Sequence, residues 1–566
     1  MTRTLLIPIQ HFDLLKQGSL PFFLFLVALM LRLFGLTWGL PSSRHLHSFH
    51  PDEVMVLSPV LRMNIFDGDL NPHFFNYGSL FLYIIYFARL LSEGIGFLDL
   101  SVRDFGVWVT QWGLLHLIGR FLSAFFGAAT VALLFVWVKR TSGLIPALVA
   151  AILLTTYPLH LQHSHFATVD VPLTFFTTLT LYGIVFWGGL TGLLATAFVG
   201  GLASAIKYSV APSLFLSILS TLSLADKRVA LKQMGLAFGV FLLGFLVGCP
   251  YAVFAFNEFF RDFYWETFVH SRIGHGYIFQ ETGNGYLYHL TYNLPAAIGV
   301  GGCVALLLGL WALSKRAGRP AEDQLTLKVS IIFALLYFLP LGLAQVRFCR
   351  YLMPLLPLIA LWSARAVEAS SLGKGIGRRL NEVLLGLCVF SVLLSGWAVN
   401  SLFAGPDPRN EAADWVMRQV KENRSDLPIT IAFHDVPWFY TPPITPFNGG
   451  SKTKEGFEAW TKEAPFPVRL VGFDWENIRE AQPVLFIASD FEYHDPLRLR
   501  LPEAVRFYQI IESEASQIVE FRLTPSLLPL PIPFLWTFGG LPHDMKYVNP
   551  DIKVYWVNQN RFPESR

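Results

Sequence analysis

The chain has 566 residues, of which 53% are hydrophobic, 15% aromatic and only 15% charged, with a mean hydropathy of +0.47. Soluble globular chains carry roughly a quarter charged residues, so this composition excludes an ordinary soluble protein and indicates a polytopic membrane protein. The net charge of +3 is too small to indicate a nucleic-acid partner.

Membrane-crossing helices need about 20 mostly apolar residues. Such segments fall at 21–40, 118–138, 144–161, 169–188, 192–206, 209–224, 235–254, 294–313, 325–343, 352–367 and 383–402. The first reads as an uncleaved anchor, because it is long enough to span and no A-x-A-like site follows it. The stretch 79–98, with Arg89 and Glu93, reads as a helix lying in the outer interface or tucked against the bundle. Charge decides that point. With eleven spans and a cytoplasmic N-terminus, Lys139-Arg140, Lys227-Arg228-Lys232, Lys315-Arg316-Arg319 and Lys374-Arg378-Arg379 all fall inside. A further crossing at 79–98 would put every later cluster outside.

The outer side then holds long loops at 41–117 and 255–293, and a C-terminal region from about 404. In that region "NEAADWVMRQVKEN" (410–423) has helical spacing, while "ITIAF" (429–433), "VRLVGF" (468–473) and "VLFIAS" (484–489) have strand length. The expected architecture is an α-helical polytopic membrane domain of about 11 transmembrane helices over 1–403, followed by a soluble extracytoplasmic α/β domain over 404–566. His434-Asp435 fits a loop at a strand end. The four cysteines match no zinc or redox spacing and read as small buried hydrophobes.

The chemistry gathers on the outer side. "HSFHPDEVMVL" (47–57) places Asp52 and Glu53 behind Pro51, at the head of a segment with helical apolar spacing. Acids there suit a helix N-terminus as well as acid/base work. "HLQHSHFATVDVPLTFF" (160–176) sets Asp170 at the head of another apolar helix, where it reads as a cap or as a functional group. Lys207 lies in the outer turn "ASAIKYSVAP", and Arg347, Arg350 and Tyr351 in "QVRFCRYLMPLLPL". Each cation alone is explained by snorkelling to the interface. Together, acids and bases from four outer turns describe a cavity suited to a lipid-borne phosphate. "DGD" (67–69) offers Asp67 and Asp69 to a divalent cation, and turn chemistry before Asn71-Pro72 explains it equally well. His163-x-His165 and His270-x4-His275 lack a metalloprotease spacing, so no metal and no other cofactor is expected.

"HPDE" after the first span, "GDLNPHFFNYGSLFLY", "HFATVDVPLTFF", "GLASAIKYS" and "RYLMPLLPL" together resemble the bacterial lipid-carrier-dependent glycosyltransferases of the GT-C class. That class includes the protein O-mannosyltransferases and the lipid A aminoarabinose transferase. The resemblance covers about 40–400 in order. It implies an inverting membrane transferase that moves a sugar from a polyprenyl-phosphate donor to an acceptor hydroxyl on a lipid, glycan or protein at the outer face of a bacterial inner membrane. It also implies that Asp52, with Glu53 beside it, is the base, that Asp170 is the acid heading the fourth span, and that Tyr351 lies near the lipid phosphate. The family's first-loop Lys-Pro-Pro stretch is replaced by "NPHFFNYGS", so phosphate binding shifts to Arg350, Arg347 and Lys207. His50, His73, Tyr77, His165, His270 and His275 lie in the same outer stretches and are the expected substrate contacts. The alternatives are a transporter or flippase of a lipid-linked glycan, and a metal-dependent oligosaccharyltransferase-like enzyme using Asp67 and Asp69.

Overall fold

The computed structural model describes the chain apart from residues 1–18, 223–225, 316–317, 373–375, 424–426, 445–456, 459–460, 463, 528–529, 532–539 and 559–566. Arg316 and Lys374 of the basic clusters therefore lie outside the described residues.

Among the described residues, six helical stretches are long and apolar enough to cross a membrane: Phe105–Ser142, Lys227–Gly248, Gly285–Lys315, Ala321–Leu343, Cys349–Ala369 and Ile376–Leu402. Five shorter apolar ones, Ser19–Leu33, Leu144–Thr156, Asp170–Phe186, Gly189–Ser204 and Tyr208–Leu219, fill the remaining expected positions. Each of the eleven expected segments thus overlaps an apolar helix. One of the short spans is cut by proline. Leu144–Thr156 stops before Tyr157-Pro158, and the chain restarts as Pro158–His163 in a new direction.

The expected boundary of the first outer loop is wrong. Phe105–Ser142 runs for 38 residues and starts within the stretch read as loop. Asp104 makes the difference, because its carboxylate accepts the Val107 N–H at 2.9 Å and caps the helix early. The rest of that loop is also largely structured. Pro51–Arg62 and Leu80–Gly94 are helices that pack together. Arg89 of the second donates to the carbonyls of Val60 and Leu61, which end the first.

The helices Gly189–Ser204 and Lys227–Gly248 approach closely through glycine. A Cβ at Gly201 would collide with the Phe241 carbonyl, and one at Gly244 with the Phe198 carbonyl.

After Ile376–Leu402 the chain enters an α/β unit through the helix Pro408–Glu422. Its five-stranded sheet runs in the order Val468–Leu470, Thr430–Phe433, Val484–Ser489, Ile552–Val557 and Gln517–Phe521. The first three are parallel and the last two antiparallel to their neighbours. Alternate residues face opposite layers. Ile431, Phe433, Leu485 and Ile487 pack with Ala412 and Val416 of the first helix, whereas Ala432, Phe486 and Ala488 pack with Phe507 and Ile511 of Pro502–Glu514. His434 ends a strand as expected, bonded to the Gly472 carbonyl and the Tyr508 hydroxyl.

Candidate active site

Pro51 opens its helix, and His50 Nδ1 accepts the Asp52 N–H at 3.2 Å, so His50 is the N-cap. Its ring is enclosed by Phe166 and Tyr547 at centroid distances of 4.2 and 4.9 Å, and burial holds its basicity well below the ordinary histidine range. Consecutive helical residues point about 100° apart, so the two acids part company. Asp52 keeps its side chain 21% exposed and pairs with Arg350 at 3.1 Å.

Glu53, expected as a second acid/base group, is committed elsewhere. It is fully buried and clamped by Arg120 through two parallel hydrogen bonds of 2.7 Å. The Ala167 N–H adds a third at 2.8 Å. Burial pushes this carboxyl up, but the Arg120 guanidinium overrides it and holds it at about 2. Arg120 also donates to the carbonyls of Leu36 and Trp38. Glu53 thereby ties three segments together and presents no oxygen to a substrate.

Asp170 sits in the first turn of its helix and pairs with Lys207 at 2.8 Å. The Lys207 ammonium lies 4.7 Å from the Tyr351 ring centroid and 5.5 Å from that of Tyr77. Tyr77 reaches this point because the first outer loop docks on the turn before Lys207. There the N–H groups of Gly78 and Leu80 donate to the carbonyls of Ile206 and Ala205, each at 3.0 Å. The approach requires glycine, since a Cβ at Gly78 would strike the Ala205 carbonyl.

Arg350 and Tyr351 lie in the 3-10 helix Cys349–Leu355. The Arg350 guanidinium carbon stands 4.2 Å from the centroid of the Phe348 ring. Arg347 does not share its face. It precedes the helix, donates to Thr282 Oγ1 and the Gly283 carbonyl at 2.7 and 2.8 Å, and holds the 255–293 loop. A three-residue spacing puts two side chains on one face only when both residues are helical, and here only Arg350 is.

Among the remaining expected contacts, His270 and His275 meet at 3.2 Å, and His275 lies against Phe348, on the Arg350 side. Glu266 joins them, 3.4 Å from His270; burial raises its carboxyl, but His270, Lys207 and the Asn76 amide together outweigh it and hold it below the ordinary range. His73 turns away, half exposed, to Glu258 at 2.7 Å. His165 is buried against the Phe403 ring and bonded to the carbonyls of Leu161 and Phe34. The structure therefore gathers Asp52, Tyr77, Asp170, Lys207, Arg350 and Tyr351, with His50 behind Asp52 and His270 and His275 at one side. Glu53, Arg347, His73 and His165 serve other contacts.

Asp67 and Asp69 flank Gly68, which has a φ of 72°. Their carboxylates accept from Asn64 Nδ2 and the Asn71 N–H. Among the described residues no group of three or more His, Cys, Asp or Glu is placed to hold a metal ion.

Sequence reasoning passed over Arg120, Glu266, Asp544 and Tyr547. Arg120 carried a usable signal, being an arginine inside an apolar span. Tyr547 carried none, since nothing near it in the chain links it to the Asp52 helix whose cap it covers.

Residues 116–263, which include Arg120, Asp170 and Lys207, match the family described as dolichyl-phosphate-mannose-protein mannosyltransferase. No curated protein matches the chain. Among solved structures, ArnT from Cupriavidus metallidurans bound to undecaprenyl phosphate is 13% identical with a TM-score of 0.47, covering 96% of this chain and 99% of that one. The archaeal oligosaccharyltransferase AglB from Archaeoglobus fulgidus, in complex with an inhibitory peptide and a dolichol-phosphate, is 10% identical with a TM-score of 0.45, covering 92% and 75%. Over residues 116–263 the family match bears out the likeness to GT-C glycosyltransferases that the motifs imply.

Proposed function

We propose that the protein is an inverting glycosyltransferase that moves a sugar from a polyprenyl-phosphate donor to an acceptor hydroxyl at the outer membrane face. The observation that carries this reading is the pairing of Asp52 with Arg350 at 3.1 Å beside the Asp170–Lys207 pair at 2.8 Å, with Tyr351 next to both cations. One acid is partly exposed, and two cations converge from separate elements. The family match over 116–263 supports the same chemistry.

In the proposed reaction Asp52 accepts the proton of the acceptor hydroxyl. The hydroxyl oxygen attacks the anomeric carbon while the bond from that carbon to the phosphate oxygen breaks. The lipid phosphate leaves with the electron pair, stabilised by Arg350, Lys207 and the Tyr351 hydroxyl. Asp170 holds Lys207 in place. Side chains neutralise the leaving group, so EDTA is expected to leave turnover unchanged; loss of activity restored by Mg²⁺ or Mn²⁺ would favour the Asp67/Asp69 reading.

The test is release of labelled sugar from a panel of purified polyprenyl-phosphate sugars by the detergent-solubilised protein. Mass spectrometry of cell-envelope glycans with and without the protein identifies the acceptor. Turnover of at least one donor supports the reading. Passage of intact lipid-linked glycan across a vesicle membrane, without sugar release, would replace it with transport.

A further inference from the structure

The segment Leu541–Val548 follows the sheet strand Gln517–Phe521 and precedes the strand Ile552–Val557, yet it packs into the membrane domain. Leu541, Met545 and Val548 join that domain's hydrophobic core. Gln162 Nε2 donates to the Met545 carbonyl at 3.1 Å, and the Tyr292 hydroxyl to the Leu541 carbonyl at 3.0 Å. On the other side, Arg409 donates to the Tyr547 carbonyl at 3.0 Å and Lys546 pairs with Asp490 at 3.2 Å. The segment, which carries the 3-10 helix His543–Val548, is thus pinned to both domains.

Two of its side chains converge on Arg350. The Asp544 carboxylate accepts the backbone N–H of Cys349 on one oxygen, at 3.0 Å, and that of Arg350 on the other, at 2.8 Å. Those N–H groups open the 3-10 helix Cys349–Leu355, whose own N-cap, Phe348, supplies no side-chain bond. A helix start normally takes its capping oxygen from a neighbouring residue. Here it comes from an acid 194 positions away along the chain. The Tyr547 hydroxyl lies beside the Arg350 side chain, and its ring lies 4.9 Å from that of His50, the cap of the Asp52 helix. One short segment therefore holds the backbone of Arg350 and packs against the residue that seats Asp52.

We infer that Asp544 and Tyr547 are positioning residues through which the C-terminal domain aims the Arg350 guanidinium at the site of the lipid-linked phosphate. The inference rests on the proposed phosphate-binding role of Arg350. An arginine side chain has many rotamers, and a fixed backbone with a ring-bearing neighbour beside it leaves fewer to be lost on binding. The C-terminal domain is in this respect a part of the site rather than an appendage.

The test is a double-mutant cycle on the full-length protein in detergent, with undecaprenyl phosphate, free of sugar, as the probe and its Kd as the readout. Thermal unfolding of each variant verifies folding. Arg350→Ala is expected to weaken binding about tenfold or more, the loss that follows removal of a charged hydrogen bond. Asp544→Ala and Tyr547→Phe are expected to weaken it several-fold, with Asp544→Asn, which keeps one acceptor, recovering part. In the Arg350→Ala background, Asp544→Ala and Tyr547→Phe should then cost little more, because they act through a side chain already removed. An undiminished additional loss in that background, or normal binding by the folded single variants, overturns the inference while leaving the phosphate role of Arg350 intact. Should Asp544→Ala fail to fold, Tyr547→Phe, which removes a single hydroxyl, runs the same cycle. Normal binding by Arg350→Ala, or no binding by the unaltered protein, defeats the phosphate reading and the inference with it.

Discussion

Asp52 and Glu53 are neighbours of the same chemical type with opposite surroundings. Asp52 is partly exposed and pairs with Arg350, and Glu53 is sealed under Arg120 and the Ala167 N–H. Their amide variants should therefore fail in different ways. Asp52→Asn keeps the shape and loses the base, so turnover is expected to fall by about 10²–10⁴-fold with the unfolding temperature preserved. Glu53→Gln leaves the Arg120 charge buried without its partner, a cost of about 3–5 kcal/mol, and is expected to show as poor folding or a lowered unfolding temperature. A folded, stable Glu53→Gln protein that lacks activity would move the base to Glu53. The same acid predicts a pH dependence. Its carboxyl is held at about 2 in the folded protein, against an ordinary value of 4.5. Its contribution to stability is thus present above about 4.5 and is lost as pH falls towards 2. Unfolding temperature measured down that range should drop for the parent protein and drop less for a folded Glu53→Gln variant.

At the scale of elements, close helix contact depends on a few hydrogen-sized positions. Gly201 and Gly244 let Gly189–Ser204 and Lys227–Gly248 touch backbone to backbone, whereas a Cβ at Gly235 or Gly239, on the same second helix, would meet nothing within 4 Å. Gly201→Ala is expected to destabilise by about 1–3 kcal/mol through overpacking. Gly239→Ala should leave the unfolding temperature unchanged. The comparison is made by thermal unfolding in one detergent, and equal effects would mean that the helix pair is not held by this contact. The consequence reaches the site, because Gly189–Ser204 ends just before the turn that carries Lys207 and receives the first outer loop at Gly78.

For the whole molecule, the eleven apolar helices and the basic clusters imply one orientation. Engineered cysteines in the 41–104 stretch, in the 255–293 loop and on the surface of the α/β unit beyond 404 should react with an impermeant reagent added from outside. Those beside Lys139-Arg140 and Lys227-Arg228 should be protected. The reverse pattern would place the Asp52 cavity on the cytoplasmic side and remove the outer-face donor from the proposal.

The sequence by itself determined the number and order of apolar helices, because lipid demands runs of apolar residues that no other context explains. It likewise showed three of the five sheet strands and the first helix of the C-terminal unit, whose patterns are local properties, and passed over Gln517–Phe521 and Ile552–Val557. It placed Asp52, Asp170, Lys207 and Arg350 in separate outer turns, and so made a cavity legible without its geometry. Only the tertiary structure decided which partner each side chain takes. Glu53 turned inward because a helix rotates about 100° per residue and Arg120 waits on that side. Arg347 was lost to the 255–293 loop because the helix begins two residues after it. Asp544 and Tyr547 came to Arg350 from almost two hundred positions away, a long-range contact set by how the two domains pack, on which local residue pattern is silent.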